Sequence, residues 1–159
     1  MSDQDVIDSL RPKGSFESAR TALNGVARST AERIGAAIPG QPWKVNADSE
    51  LGRMSYLGAP CDELPGDVAL RPAAEPIVFD PAFTAENFPV AVDVIREQAA
   101  KLGATQESSL FNDGSKREYQ VSGNGYEFRV MQMEVAVFTV SGDCHLLQKV
   151  IDLPPEQSR

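Results

Sequence analysis

Apolar residues recur at three- and four-residue steps after Ser15, with Phe16, Ala19, Leu23, Val26, Ala27, Thr30, Ile34, Ala37 and Ile38 falling on one face of a helix. Ser15 supplies an N-cap oxygen, Glu17 suits the first turn and Pro39-Gly40 stops the helix, while Arg20, Arg28, Glu32 and Arg33 take the wet side. Residues 41 to 46, with Trp43 and Val45, read as a short strand. Residues 47 to 76 are punctuated by Gly52, Gly58, Pro60, Pro65, Gly66, Pro72 and Pro76 and read as one long loop with Cys61 in its middle. Ile77-Val78-Phe79 is the next strand. A second helix is expected from about Asn87 to Leu102, with Pro89 tolerated in its first turn, Gly103 as its stop, and Phe88, Ala91, Val92, Ile95, Ala99 and Leu102 as its apolar stripe.

From Ala104 the period changes from about 3.6 to 2. Two turn signals, Asn112-Asp113-Gly114 and Gly123-Asn124-Gly125, separate strands at 105 to 111, 116 to 122 and 126 to 140. In the last of these Tyr126, Phe128 and Val130 point one way and Glu127, Arg129 and Met131 the other, with a bend or bulge near Gln132 to Glu134. Residues 145 to 151 add a final strand before Pro154-Pro155. Two helices with one apolar stripe each must bury those stripes together, so the expected class is α+β: an antiparallel β-sheet with two long amphipathic helices packed on one face.

One domain of this size buries roughly 70% of its unfolded surface and needs no further scaffold. A net charge of −8, from 23 acidic and 15 basic side chains, argues against nucleic acid and anionic membrane surfaces as partners. Cys61 and Cys144 are the two cysteines. A distant even pair without a CxxC motif reads as one structural disulfide in an oxidising compartment, the alternative being two buried free thiols. Closing that loop of 83 residues, 144 minus 61, stabilises by about 4 to 5 kcal/mol in the chain-entropy model.

Candidate chemistry is sparse. Ser141, Asp143 and His145 invite comparison with a hydrolase triad, but three neighbours in one turn do not converge easily, and the chain has one histidine and no GxSxG elbow. Cys144 and His145 point to opposite sides of a strand. One histidine and two distant cysteines cannot build a four-ligand zinc site, so no metal is expected, although Asp62-Glu63 and Asp67 offer oxygen ligands for calcium without EF-hand spacing. Gly123-Asn124-Gly125 lacks the third glycine and following helix of a phosphate loop. The aromatic alternation at Tyr126 and Phe128 lacks the basic surroundings of an RNA-binding strand. Trp43, Tyr119, Tyr126 and Phe128 are candidates to line a small apolar pocket between sheet and helices, with plain core packing as the simpler reading. No catalytic residue and no cofactor is expected.

Residues 15–20 (Ser-Phe-Glu-Ser-Ala-Arg), Ala36 through Lys44, Ala104 through Asn112, Gly123 through Arg129, and Gly142-Asp143-Cys144 with Leu146 to Val150 resemble the LppA family of mycobacterial lipoproteins. The resemblance runs from about residue 6 to 154. It implies export by a signal peptide and tethering by a lipidated N-terminal cysteine to the outer face of the cytoplasmic membrane. Neither that signal nor that cysteine occurs here, and Met1 is expected to begin a trimmed chain. Residues 1–14, polar with Pro12 and Gly14, are expected as a flexible tether, 15–153 as one domain and 154–159 as a C-terminal tail. The expected function is a non-enzymatic envelope lipoprotein domain that binds an envelope protein or lipid partner or assists assembly. The second expectation is a carrier or sensor of a small apolar envelope molecule held between helices and sheet.

Overall fold

The computed structural model describes residues 2–109 and 111–153. In chain order the elements are α1 (Asp3–Leu10), a 3-10 turn (Arg11–Lys13), α2 (Phe16–Ala37), β1 (Trp43–Val45), α3 (Glu50–Leu57), β2 (Ala59–Pro60), β3 (Ala69–Arg71), β4 (Ile77–Phe79), α4 (Asn87–Lys101), β5 (Gln106–Ser108), β6 (Asn112–Asp113), β7 (Lys116–Gly123), β8 (Tyr126–Gln132), β9 (Ala136–Ser141), β10 (His145–Leu146) and α5 (Gln148–Ile151). The expected α+β class is present. A seven-stranded antiparallel sheet runs β1-β4-β9-β8-β7-β5, with β6 also on β7, and a small sheet runs β10-β3-β2.

Both long helices lie where their stripes require. The Ser15 hydroxyl accepts from Ser18 N at 3.0 Å and starts α2. Leu23, Ala27, Ala31 and Ile34 of α2 and Phe88, Ala91, Ile95 and Ala99 of α4 enter one core with Phe79, Val121, Phe128, Val130, Phe138 and Val140 of the sheet. All of these come from one face of the strands, so the helices cover one side of the sheet and leave the other uncovered by them.

Five expectations are corrected. The tether is largely helix: Ser2 and Asp5 form a reciprocal capping box at the start of α1, and Ile7 is 1% exposed. Its burial, in a second cluster with Leu64, Ala69, Leu146 and Val150, is what gives this short polar helix a reason to form. The long loop of residues 47–76 contains α3, β2 and β3. The single strand expected at 126 to 140 is a hairpin, β8 and β9, turned where Met133 N donates to Val135 O at 3.0 Å. The last strand is two residues long and passes into α5, because Leu146 pairs with Ala69 and Val150 must then turn inward to the second cluster. The expected strand at 105 to 111 is shorter, Gln106–Ser108, and its Leu110, like the tail 154–159, lies outside the described residues.

The Cys61–Cys144 disulfide forms, with a Cα–Cα distance of 5.7 Å. It braces the second cluster, against which both cysteines pack. Lys13 ties the same corner, its Nζ 2.8 Å from Asp143 Oδ2 and donating to Cys144 O at 2.9 Å.

Candidate functional site

Strand alternation decides what the uncovered face presents. On β9, Ala136, Phe138 and Val140 turn to the helices, while Val137, Thr139 and Ser141 turn away. Val137 pairs with Met131, and Met131 pairs in turn with Glu118; one step along, Thr139 pairs with Arg129 and Arg129 with Gln120. The outward positions therefore run in rows. The row nearest the β8–β9 turn sets apolar Val137 and Met131 beside the buried Glu118, the next carries Thr139, Arg129 and Gln120, and the third is Ser122, Glu127 and Ser141.

Met131 and Val137 of that first row floor a groove of about 770 Å³ lined also by Leu51, Ser115, Lys116, Arg129, Met133, Glu134, Val135 and Thr139. Its volume falls within the range of roughly 300 to 1,000 Å³ typical of ligand sites. A more polar groove of about 730 Å³ continues over the third row, bordered by Met54, Leu57, Arg71, Tyr126, Glu127 and Ser141.

Helix α3 contributes to both grooves and is held firmly. The Ser49 hydroxyl accepts from Gly52 N at 3.0 Å, and a Cβ at Gly52 would come within 2.3 Å of Ala47 O, so only glycine permits this approach. At the far end Arg20 Nη1 donates to Tyr56 O at 3.0 Å, with its guanidinium 4.2 Å from the Tyr56 ring centroid. Its side chains nonetheless project outward: Met54 is 60%, Tyr56 61% and Leu57 66% exposed. With Leu51 and Met133 they are five of the six large exposed apolar residues among those described, Leu153 being the sixth.

One charge is built into the groove wall. Glu118, 2% exposed, accepts from Arg129 Nε at 2.8 Å, and the Arg129 side chain is 33% exposed. The Glu118 backbone is itself fixed, its N donating to Phe111 O at 3.0 Å and its O accepting from the Ser109 hydroxyl at 2.5 Å. The guanidinium is thus oriented before any ligand arrives.

At the opposite sheet edge Tyr119 OH donates to Glu107 Oε1 at 2.5 Å, and Arg96 Nε donates to the same oxygen. The Tyr119 hydroxyl and then Arg96 hold the Glu107 carboxyl below its usual range. Burial first, then Glu107, pushes the Tyr119 phenol up. This cluster joins α4 to β5 and β7 and borders none of the grooves described above.

The residues expected to form an interior pocket do not converge. Phe128 is 0% and Tyr119 7% exposed, both as core. Trp43 packs on the core from β1, separated from β8 by β4 and β9, and Tyr126 is half-buried, bordering the polar groove. The space between helices and sheet is filled by Phe79, Phe128, Phe138, Ile34 and Ile95, and this filling is why the aromatics line no pocket there.

Ser141, Asp143 and His145 are likewise parted. Ser141 borders the polar groove, whereas His145 faces a cleft beside the start of α2. Asp143 is engaged by Lys13, and His145 Nδ1 lies 2.8 Å from Asp143 O, an acceptor, so Nδ1 carries the proton. Of the acidic loop, Asp62 pairs with Arg71 at 3.2 Å. Among the described residues no group of three or more His, Cys, Asp and Glu is placed to hold a metal ion, and no helix is long and apolar enough to cross a membrane.

The apolar groove escaped sequence reasoning although a signal existed. Met131, Met133, Val135 and Val137 alternate along the chain, marking as apolar the side of the hairpin away from the helices.

The sequence model of the LppA family, described as "Lipoprotein confined to pathogenic Mycobacterium", matches residues 2–148. A Mycobacterium tuberculosis protein named as lipoprotein LppA is 52% identical over 152 residues, covering 96% of this chain and 69% of its own. One named as lipoprotein LppB, from the same species, is 51% identical over the same share. A crystal structure of LppA from Mycobacterium tuberculosis superposes with a TM-score of 0.92 at 51% identity, covering 97% of this chain and 91% of that one.

Proposed function

This chain belongs to the LppA family of lipoproteins, and we propose that it is a non-enzymatic binding module held by a lipid at the outer face of the cytoplasmic membrane, engaging its partner through the uncovered face of the sheet. The observation that carries this reading is the clustering of Leu51, Met54, Tyr56, Leu57 and Met133, all exposed, along α3 and the groove rim. Solvent-facing apolar side chains grouped on a rigid support mark a surface that gains by being covered. Methionines suit such a surface because their flexible thioethers adapt to varied contacts.

The groove favours a second reading beside this one. Its volume and apolar floor fit a carrier or sensor of a small apolar molecule, seated on the open face of the sheet and not between sheet and helices. The two readings share a site.

A photoreactive residue placed at Leu51, compared with one at Glu32 on the exposed side of α2, tests the site in envelope preparations. Cross-linked products specific to position 51 are expected. Equal labelling at both positions, or none at 51, would count against the open face as the binding surface.

A further inference from the structure

The geometry points to a single-chain anionic amphiphile, an acyl chain ending in a carboxylate or phosphate, as the ligand of the apolar groove. This rests on the open-face reading and names its ligand class. Polarity is segregated along the groove. Met131, Val135 and Val137 form a floor for a hydrocarbon chain, with Met133 at its rim and Leu51 of α3 as a side wall. At the inner end of that floor, one strand pair further from the turn, stand Arg129 and Thr139. A tail laid over the methionine and valine side chains brings its headgroup to a guanidinium and a hydroxyl.

That guanidinium is a built feature. A buried carboxylate, Glu118, takes Arg129 Nε at 2.8 Å and fixes the plane of the group. The Nη donors are what remains for a ligand, in the forked geometry that suits carboxylate and phosphate oxygens. Lys116, exposed at the groove margin, lies one residue on the turn side of the Arg117–Gln132 pair, so it shares the tail end with Glu134, where the two charges offset each other. Arg129, with Thr139 beside it, is therefore the group that draws an anion to the inner end. A protein of net charge −8 has few places where an anion is welcome, and this groove offers one next to the apolar surface that would hold the rest of such a molecule.

The four methionines make the test direct, since Met131 and Met133 line this groove, Met54 borders the polar one, and Met1 begins the chain. Monomeric dodecanoate and dodecyl phosphate, titrated into methyl-labelled protein, should shift the Met131 and Met133 signals and leave Met54 in place. Dodecyltrimethylammonium should bind at least tenfold more weakly. From eight to twelve carbons the affinity for the carboxylates should rise roughly two- to fourfold per methylene, the gain expected for burying a chain on a partly open surface. Leu51→Glu, at a position 43% exposed, should lower affinity at least tenfold with an unchanged amide spectrum. The paired variant Glu118→Gln with Arg129→Gln, which leaves no buried charge uncompensated, should abolish headgroup discrimination and keep the chain-length dependence; if that variant does not fold, Arg129→Lys, which keeps a cation beside Glu118 but loses the forked donors, should lower affinity for the anionic heads several-fold and serves instead. Equal affinity for anionic and cationic heads, affinity independent of chain length, or shifts at Met54 without Met131 would each overturn the assignment. Cross-linking at position 51 to a protein without any amphiphile binding would also overturn it while leaving the open-face reading intact, and loss of both would remove both.

Discussion

Gln132 and Phe83 hold each other by a two-way hydrogen bond: Phe83 N donates to Gln132 Oε1, and Gln132 Nε2 donates to Phe83 O, each at 3.0 Å. The same Nε2 donates to Ser115 O at 3.2 Å. Gln132 is 1% exposed, so one buried side chain at the end of β8 ties the segment before α4 to the β6–β7 turn. Gln132→Leu keeps the volume and strands those backbone groups in an apolar setting. A loss of about 2 to 4 kcal/mol is expected from urea denaturation. A loss below about 0.5 kcal/mol would mean that the two segments are held by other contacts.

Reduction of the Cys61–Cys144 disulfide should lower stability by a few kcal/mol, up to the roughly 4 to 5 kcal/mol of the chain-entropy model for its 83-residue loop, without unfolding the large sheet. Hydrogen exchange should show the loss confined to α1, β3, β10 and α5, which meet in the second cluster. Uniform loss of protection across β7, β8 and β9 would show that the two cores fold as one unit.

Ile34 and Ile95 are both 0% exposed between helices and sheet. Ile34→Asp and Ile95→Asp should each destabilise by more than about 4 kcal/mol, since the carboxylate would have no partner there. Thermal melting like that of the parent chain in both variants is incompatible with the helix faces described.

Acid and alkali should each act through one end of the Tyr119–Glu107 contact. The lowered Glu107 pKa means that its stabilising contribution is complete above the unfolded value of about 4.3 and is lost as pH falls through the folded value. The raised Tyr119 pKa works in the opposite sense: its contribution is complete below about pH 10 and is lost as pH rises beyond it. Urea midpoints between pH 3 and 6 should fall less steeply for Glu107→Gln, and those above about pH 10 less steeply for Tyr119→Phe. Slopes matching the parent chain would place the titrating groups elsewhere.

His145→Gln should change stability by no more than about 0.5 kcal/mol, the usual range for a substitution away from the core. The imidazole braces its own turn through Asp143 O and lies in a different cleft from Ser141. Selective loss of a hydrolytic turnover with unchanged melting would reopen the turn as a catalytic site.

The helices at Phe16–Ala37 and Asn87–Lys101 were legible because each carries a stripe at the helical period and a recognisable cap or stop. α1 and α3 were not, for opposite reasons. α1 owes its existence to Ile7 meeting Leu146 and Val150, more than 130 residues away, which no local pattern reveals. α3 leaves Met54, Tyr56 and Leu57 in solvent, so its apolar residues do not follow the inside-outside rule that makes helices readable. The groove was hidden by the same kind of exception, an outward strand face that is apolar where the pattern leads one to expect polar residues.

The second cluster is stitched almost wholly by partners distant in sequence: Arg11 to Ile151 at 3.2 Å, Lys13 to Cys144, and Glu17 to the Gln148 amide at 2.9 Å. The β7–β8–β9 meander, by contrast, pairs neighbours through short turns. Loop closure costs more the longer the loop, so the meander is expected to form before the second cluster, whose partners lie far apart in sequence. During synthesis α1 has nothing to dock on until residues near 145–151 arrive, so this corner is expected to be the last to close and the first to open.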